Sequence, residues 1–147
     1  MNGDAMNISI APSVLAADLC CLGEEIRRAE AGGCEAFHVD IMDGHFVPNF
    51  TIGPPVVRSV RKVTALPFDV HLMLDQPERY VDVFADSGAD NITVHCEIEA
   101  DTSEVLDRIH EKGCSAGVSL KPATEAEAVF PFLDDADLVL VMTVEPG

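Results

Sequence analysis

The chain is poor in positive charge. Over 147 residues, 9 Lys+Arg stand against 26 Asp+Glu, giving a formal net charge of −17 and a pI near 4.3. So few cations, scattered on so acidic a body, cannot form a patch that tracks phosphates; neither nucleic acid nor an anionic membrane surface is expected as a partner. Long apolar runs are missing too, and none approaches the ~20 residues of a membrane span. The opening Met1-Asn2-Gly3-Asp4-Ala5-Met6 lacks the basic region and apolar stretch of a secretion signal. Cysteine is present, but Cys20, Cys21, Cys34, Cys96 and Cys114 are odd in number and never spaced CxxC. This argues against a disulfide framework and a cysteine-rich zinc site, and reads as small buried thiols in a reducing compartment. No linker or low-complexity segment interrupts the chain. With hydrophobic residues at 48% and charged residues at 24%, a soluble, cytoplasmic chain forming one domain over 1–147 is the expectation.

What the sequence does contain is an alternation of short apolar runs with longer amphipathic ones. The pattern predicts strands near 7–12, 36–42, 68–73, 91–95, 115–120 and 137–142, and helices near 19–31, 54–63, 77–87, 102–112 and 124–133. In the first helix Leu19, Leu22, Ile26 and Ala29 recur at three- and four-residue steps, opposite Glu24, Glu25, Arg27 and Arg28. Asp18 is its expected N-cap, Thr124 with Glu127 a capping box, and Pro77 a residue of a first turn. Gly33, Gly88 and Gly113 each close a helix ahead of a strand, and seven residues after them come Asp40, His95 and Leu120. Strands separated by helices call for parallel crossovers. A turn signal, Val144-Glu145-Pro146-Gly147, follows the sixth expected strand with nothing after it, whereas a closed eight-stranded barrel needs roughly 200–250 residues.

The stretch richest in chemistry is Phe37-His38-Val39-Asp40-Ile41-Met42-Asp43-Gly44. Residues two apart share a strand face, so His38, Asp40 and Met42 point one way and Phe37, Val39 and Ile41 the other. Asp69-Val70-His71-Leu72-Met73 repeats the pattern with His71 and Met73. Sites collect at the carboxyl ends of parallel strands. Two imidazoles and a carboxylate there suit Zn²⁺, Fe²⁺ or Mn²⁺ with positions left open for substrate oxygens. Strand histidines are also common as hydrogen-bonded core residues, and the pattern alone leaves both readings open. His110 reads as surface, and His45, Phe46 and Pro48 as part of a flexible cover over the substrate.

Three longer motifs go further. Ala11-Pro12-Ser13-Val14-Leu15-Ala16-Ala17-Asp18, then His38 through Asn49, then Asp69 through Met73, in that order, closely resemble the ribulose-phosphate 3-epimerase family, and Val141-Met142-Thr143-Val144-Glu145-Pro146-Gly147 resembles the start of its sixth loop. The resemblance runs in register from about Ile8 to the last residue. It implies an α/β fold, a (β/α)8 TIM barrel of the ribulose-phosphate-binding type, of which about six βα units are present. It also implies 3-epimerisation of D-ribulose 5-phosphate to D-xylulose 5-phosphate through a 2,3-enediolate. His38, Asp40 and His71 match the family's ligands for one divalent metal ion (zinc, iron, manganese or cobalt), and Asp40 also matches one acid/base. Ser13, His71, Met42, Met73, Met142 and Gly147 match substrate-contacting positions. His95 matches a family histidine and reads as structural or as a support for the site. Glu145 departs from the asparagine common there. A second aspartate and most of the phosphate-binding glycines have no counterpart, so the 147-residue chain alone is expected to be a fragment with little activity. Family members commonly associate, which extends the expectation to a homo-oligomer. Two alternatives remain open: a 3-epimerase of a six-carbon ketose phosphate, and a truncated, non-catalytic barrel module.

Overall fold

The structure is a computed structural model describing residues 8–147. Five strands form one sheet: β1 (Phe37–Met42), β2 (Phe68–Met73), β3 (Asn91–His95), β4 (Ser115–Leu120) and β5 (Leu138–Val141). They lie side by side in chain order, all parallel. Winding always in one direction is how a β/α barrel is built; a doubly wound sheet reverses its order once. Helices α1 (Leu22–Ala31), α2 (Pro54–Val60), α3 (Val81–Ala85) and α4 (Thr102–Glu111) precede β1, β2, β3 and β4 in turn.

The period-two pattern does what it implies. Phe37, Val39, Ile41, Phe68, Val70, Leu72, Ile92 and Val94 face outward and are buried against Ile26, Val57, Val60, Phe84, Leu106 and Ile109 of the helices. Fully burying side chains of this size stabilises by about 1.5–3 kcal/mol each. The opposite face is polar and stacks in rows: Asp40 beside His71 beside Thr93, and His95 beside Ser119. Gly117 sits in the middle row because a side chain there would collide with Thr93. Gly33, Gly88 and Gly113 do close α1, α3 and α4, at φ of 93°, 104° and 78°.

Four expectations need correction. Of the run near 7–12, residue 7 lies outside the described residues and the remainder forms no strand. It runs beside β1 through Glu35 N–H to Ile10 O and His38 N–H to Pro12 O, with one bridge at Ser13. Pro12 has no N–H to continue a ladder. The expected helix at 77–87 is a 3-10 turn, Pro77–Arg79, followed by the short α3. The fifth helix is likewise a 3-10 segment, Ala126–Phe132, interrupted by Pro131, and its capping box does not form; Thr124 Oγ1 donates instead to Glu97. The cysteines are free but mostly not buried. Only Cys114 is; Cys20 is exposed in the 3-10 turn that Asp18 caps, and the other three are half-buried.

Candidate metal centre and active site

The carboxylate of Asp40 is the hub of the site. Its Oδ1 lies 3.2 Å from His38 Nε2 and 3.3 Å from His71 Nδ1, while its Oδ2 accepts the Ser13 hydroxyl at 2.6 Å. Strand geometry explains the grouping: His38 and Asp40 are two apart on β1, and His71 is paired with Asp40 on β2. Ser13 comes from the bridge to His38, so residues 11–13 serve the site without forming a strand.

The orientation of His38 is set from behind by a residue that the sequence motifs contain but give no role. Asp69, on the same β2 face as His71, accepts His38 Nδ1–H at 2.8 Å. Its other oxygen accepts Asn91 Nδ2 at 2.5 Å and Thr93 Oγ1 at 2.8 Å. With Asp69 accepting throughout, Nδ1 carries the proton and Nε2 is the nitrogen presented to Asp40. Burial opposes a charge on His38, yet its hydrogen bonds to Asp40 and Asp69 outweigh it and raise the pKa to about 9. Asp40 is held well below the usual carboxylate range, because bonds from His38, His71 and Ser13 overcome its burial.

These donors suit a cation. The ligand atoms of His38, Asp40 and His71 all lie within 4.8 Å of one another. The 3.2 and 3.3 Å separations match the roughly 3.0–3.5 Å between neighbouring donors of an ion bound at about 2.0–2.1 Å. Two imidazole nitrogens aimed at one carboxylate oxygen repel unless a proton or a metal ion lies among them. Nitrogen and oxygen donors without thiolate fit Zn²⁺, Fe²⁺, Mn²⁺ or Co²⁺.

The other expected positions do not all gather in one place. Met42 and Met73 are register partners at the carboxyl ends of β1 and β2, buried with Val47 and flanked by Phe46. Met142, half-buried just past β5, stands outside that cluster. Gly147, at φ 114°, packs where a side chain would press on Val47 and Pro48 of the loop after β1. Asp43 and Thr51 pin that loop. Asp43 accepts the amides of His45, Phe46 and Asp75, and Thr51 Oγ1 donates to Asp40 O while accepting Met42 N–H. The Phe46 ring lies 4.8 Å from that of His95, with Lys121 Nζ 4.1 Å from its centre. His95 is wholly buried, 3.0 Å from His71 Nε2. His110 is exposed and paired with Asp137. The neighbouring Cys96 offers no thiolate, since burial and Glu97 push its thiol up to about 11.

Parallel strands wound in sequence are the architecture of a β/α barrel, and on its inner face an acid and two histidines from the first two strands form a group that could hold a metal ion. Solved structures agree on the fold: the tryptophan synthase alpha chain of Legionella pneumophila superposes with a TM-score of 0.61 at 16% identity, over 93% of this chain and 62% of that one. The model of the ribulose-phosphate 3 epimerase family matches residues 9–147, and the chain belongs to that family. Ribulose-phosphate 3-epimerase of Bacillus subtilis is 51% identical over 140 residues, 95% of this chain and 64% of that enzyme. The Schizosaccharomyces pombe enzyme is 49% identical over 94% of this chain and 62% of its own length. For the chloroplastic ribulose-5-phosphate-3-epimerase of Arabidopsis thaliana the figures are 47%, 96% and 51%. The chain thus spans about half to two thirds of the length of these relatives. No helix among the described residues is long and apolar enough to cross a membrane.

Proposed function

We propose that this chain carries the metal centre and one acid/base of a cytoplasmic ribulose-phosphate 3-epimerase, which interconverts D-ribulose 5-phosphate and D-xylulose 5-phosphate by moving the proton on C3. The observation that supports it most is the convergence of Ser13, His38 and His71 on Asp40. A C–H beside a ketone is a very weak acid, so its removal needs a base and stabilisation of the charge left behind. A divalent ion held by His38, Asp40 and His71 would supply the second as a Lewis acid on substrate oxygens. Asp40, kept ionised, is the proton acceptor on one face of C3. Ser13 holds the Asp40 carboxylate in place through the oxygen that the histidines do not face, and its place in the family motif supports a contact with substrate. Met42 and Met73 present an apolar, polarisable floor on which a planar intermediate can rest without competing hydrogen bonds.

The test follows C3 of D-ribulose 5-phosphate by proton NMR in D₂O, using protein carrying this sequence and added Zn²⁺. Loss of the C3 signal with appearance of xylulose 5-phosphate is expected. Asp40→Asn should slow it by roughly 10²–10⁴-fold. Exchange that survives Asp40→Asn unchanged would reject Asp40 as the base.

A further inference from the structure

Behind His71, on the side away from Asp69, a second line of polar contacts leaves the site. His71 Nε2 lies 3.0 Å from His95 Nε2, and His95 Nδ1 lies 2.8 Å from Glu97 Oε2. Glu97 Oε1 accepts the Lys121 amide at 2.7 Å and the Thr124 hydroxyl at 2.6 Å. Resting on the reading of His38, Asp40 and His71 as a metal centre, we propose that Glu97, acting through His95, sets the tautomer of His71 and so turns its Nδ1 lone pair toward the metal.

Proton counting along the line carries the argument. The Lys121 amide can only donate, so the Oε1 end of Glu97 accepts, and with Thr124 donating there as well the carboxylate acts as an acceptor throughout. His95 Nδ1 therefore carries the proton. With one proton on the ring, its Nε2 presents a lone pair to His71 Nε2, which must then be the N–H of that contact. The other neighbour of His71 Nε2 is compatible with this: Ser119 Oγ lies 3.3 Å from both Nε2 and Val94 O, and with its hydrogen on that carbonyl it offers Nε2 a lone pair. With the ring neutral, a proton held on Nε2 leaves Nδ1 bare, and Asp40 Oδ1, 3.3 Å away, is the rival acceptor for that same proton. Burial makes this rigid. His71, His95 and Ser119 have no exposed surface, and the His95 ring is packed between those of His71 and Phe46 at 4.9 and 4.8 Å. Metal-binding histidines commonly owe their tautomer to a carboxylate on the far nitrogen. Here a second histidine is interposed, so the carboxylate that orients a β2 residue sits just past the end of β3. Glu97 and His95 are positioning residues, one step removed from substrate and ion.

The isosteric Glu97→Gln tests it. The Gln carbonyl would keep the Lys121 and Thr124 donors, placing its NH₂ against His95 Nδ1. That reverses His95, whose Nε2–H then faces His71 and drives the His71 proton to Nδ1, the nitrogen that should bind. The readouts are the ¹⁵N shifts of the two rings in metal-free chain, above the ordinary imidazole range, and the Kd for Zn²⁺ from chelator competition. The wild type should show Nε2–H on His71 and Nδ1–H on His95. E97Q should invert both and weaken Zn²⁺ roughly 10–100-fold. A wild-type His71 protonated on Nδ1, in donation to Asp40, overturns the proposal without any variant. So does a folded E97Q whose His71 shifts stay as in the wild type, which is the result a merely structural Glu97 would give. Should the tautomers invert while Zn²⁺ binds neither protein, the relay stands and the metal-centre reading falls.

Discussion

At His38 the two ring nitrogens have separate jobs: Nδ1–H is spent on Asp69, which frees Nε2 for the site. Asp69→Asn would keep the shape but turn an amide N–H₂ toward Nδ1, because Asn91 and Thr93 already donate to the other oxygen. The proton would be forced onto Nε2. Zn²⁺ affinity should fall roughly 10–100-fold with the fold intact, measured by chelator competition beside circular dichroism; unchanged affinity would remove Asp69 from the argument. Met73 makes the opposite prediction. It is buried with Met42 and Val47, and as part of the floor proposed above, Met73→Leu should reduce turnover and leave the Zn²⁺ Kd alone. Equal losses in both would count against the floor. The motif around β1 made His38, Asp40 and Met42 legible, since alternation puts them on one face. Asp69 and Glu97 were not legible as supports. A carboxylate two residues before a histidine, or two after one, has many uses, and only distances across strands show which nitrogen it faces.

Among the elements, α2 is tied to the sheet by one side chain. Arg61, its C-cap, donates to Asp90 Oδ2 at 2.9 Å and to the carbonyls of Thr64 and Leu66 at 2.6 and 2.7 Å, with its guanidinium carbon 4.0 Å from the centre of the Phe68 ring. Asp90 also accepts the Phe68 amide. The start of β2 and the turn before β3 are thus held by the same group. Arg61→Ala should cost about 1–3 kcal/mol in denaturant unfolding, and Arg61→Lys should recover only part, since an ammonium cannot serve three directions in one plane. No loss with alanine would show the carbonyls content with water. Helix positions were readable because apolar residues recur at helical steps and glycines end three of them. Helix type was less so: Pro131 and the break at Tyr80 convert expected α-helix into 3-10 turns, since short segments follow tertiary packing more than propensity.

Over the whole molecule the excess of acid makes stability depend on pH in a definite direction. Burial opposes ionisation of Asp43 and Glu97, but Asp43 accepts three amides and Glu97 accepts the Lys121 amide, Thr124 and His95, so both lie below their ordinary values. A carboxylate depressed by folding binds fewer protons folded than unfolded. Its contribution is complete above the unfolded pKa, near 4, and is lost as pH falls through the folded one. The thermal midpoint should therefore drop as pH is lowered below about 4, and Asp43→Asn should flatten that slope; a midpoint insensitive to acid would contradict this. The sequence by itself determined the parallel β/α winding, the family and the three residues around Asp40, because period-two alternation and motif order are local properties of the chain. Only the tertiary structure decided which nitrogen each histidine offers. That choice rests on Asp69, His95 and Glu97, brought to His38 and His71 by strand register across the sheet, and register is a contact between segments that no single segment encodes.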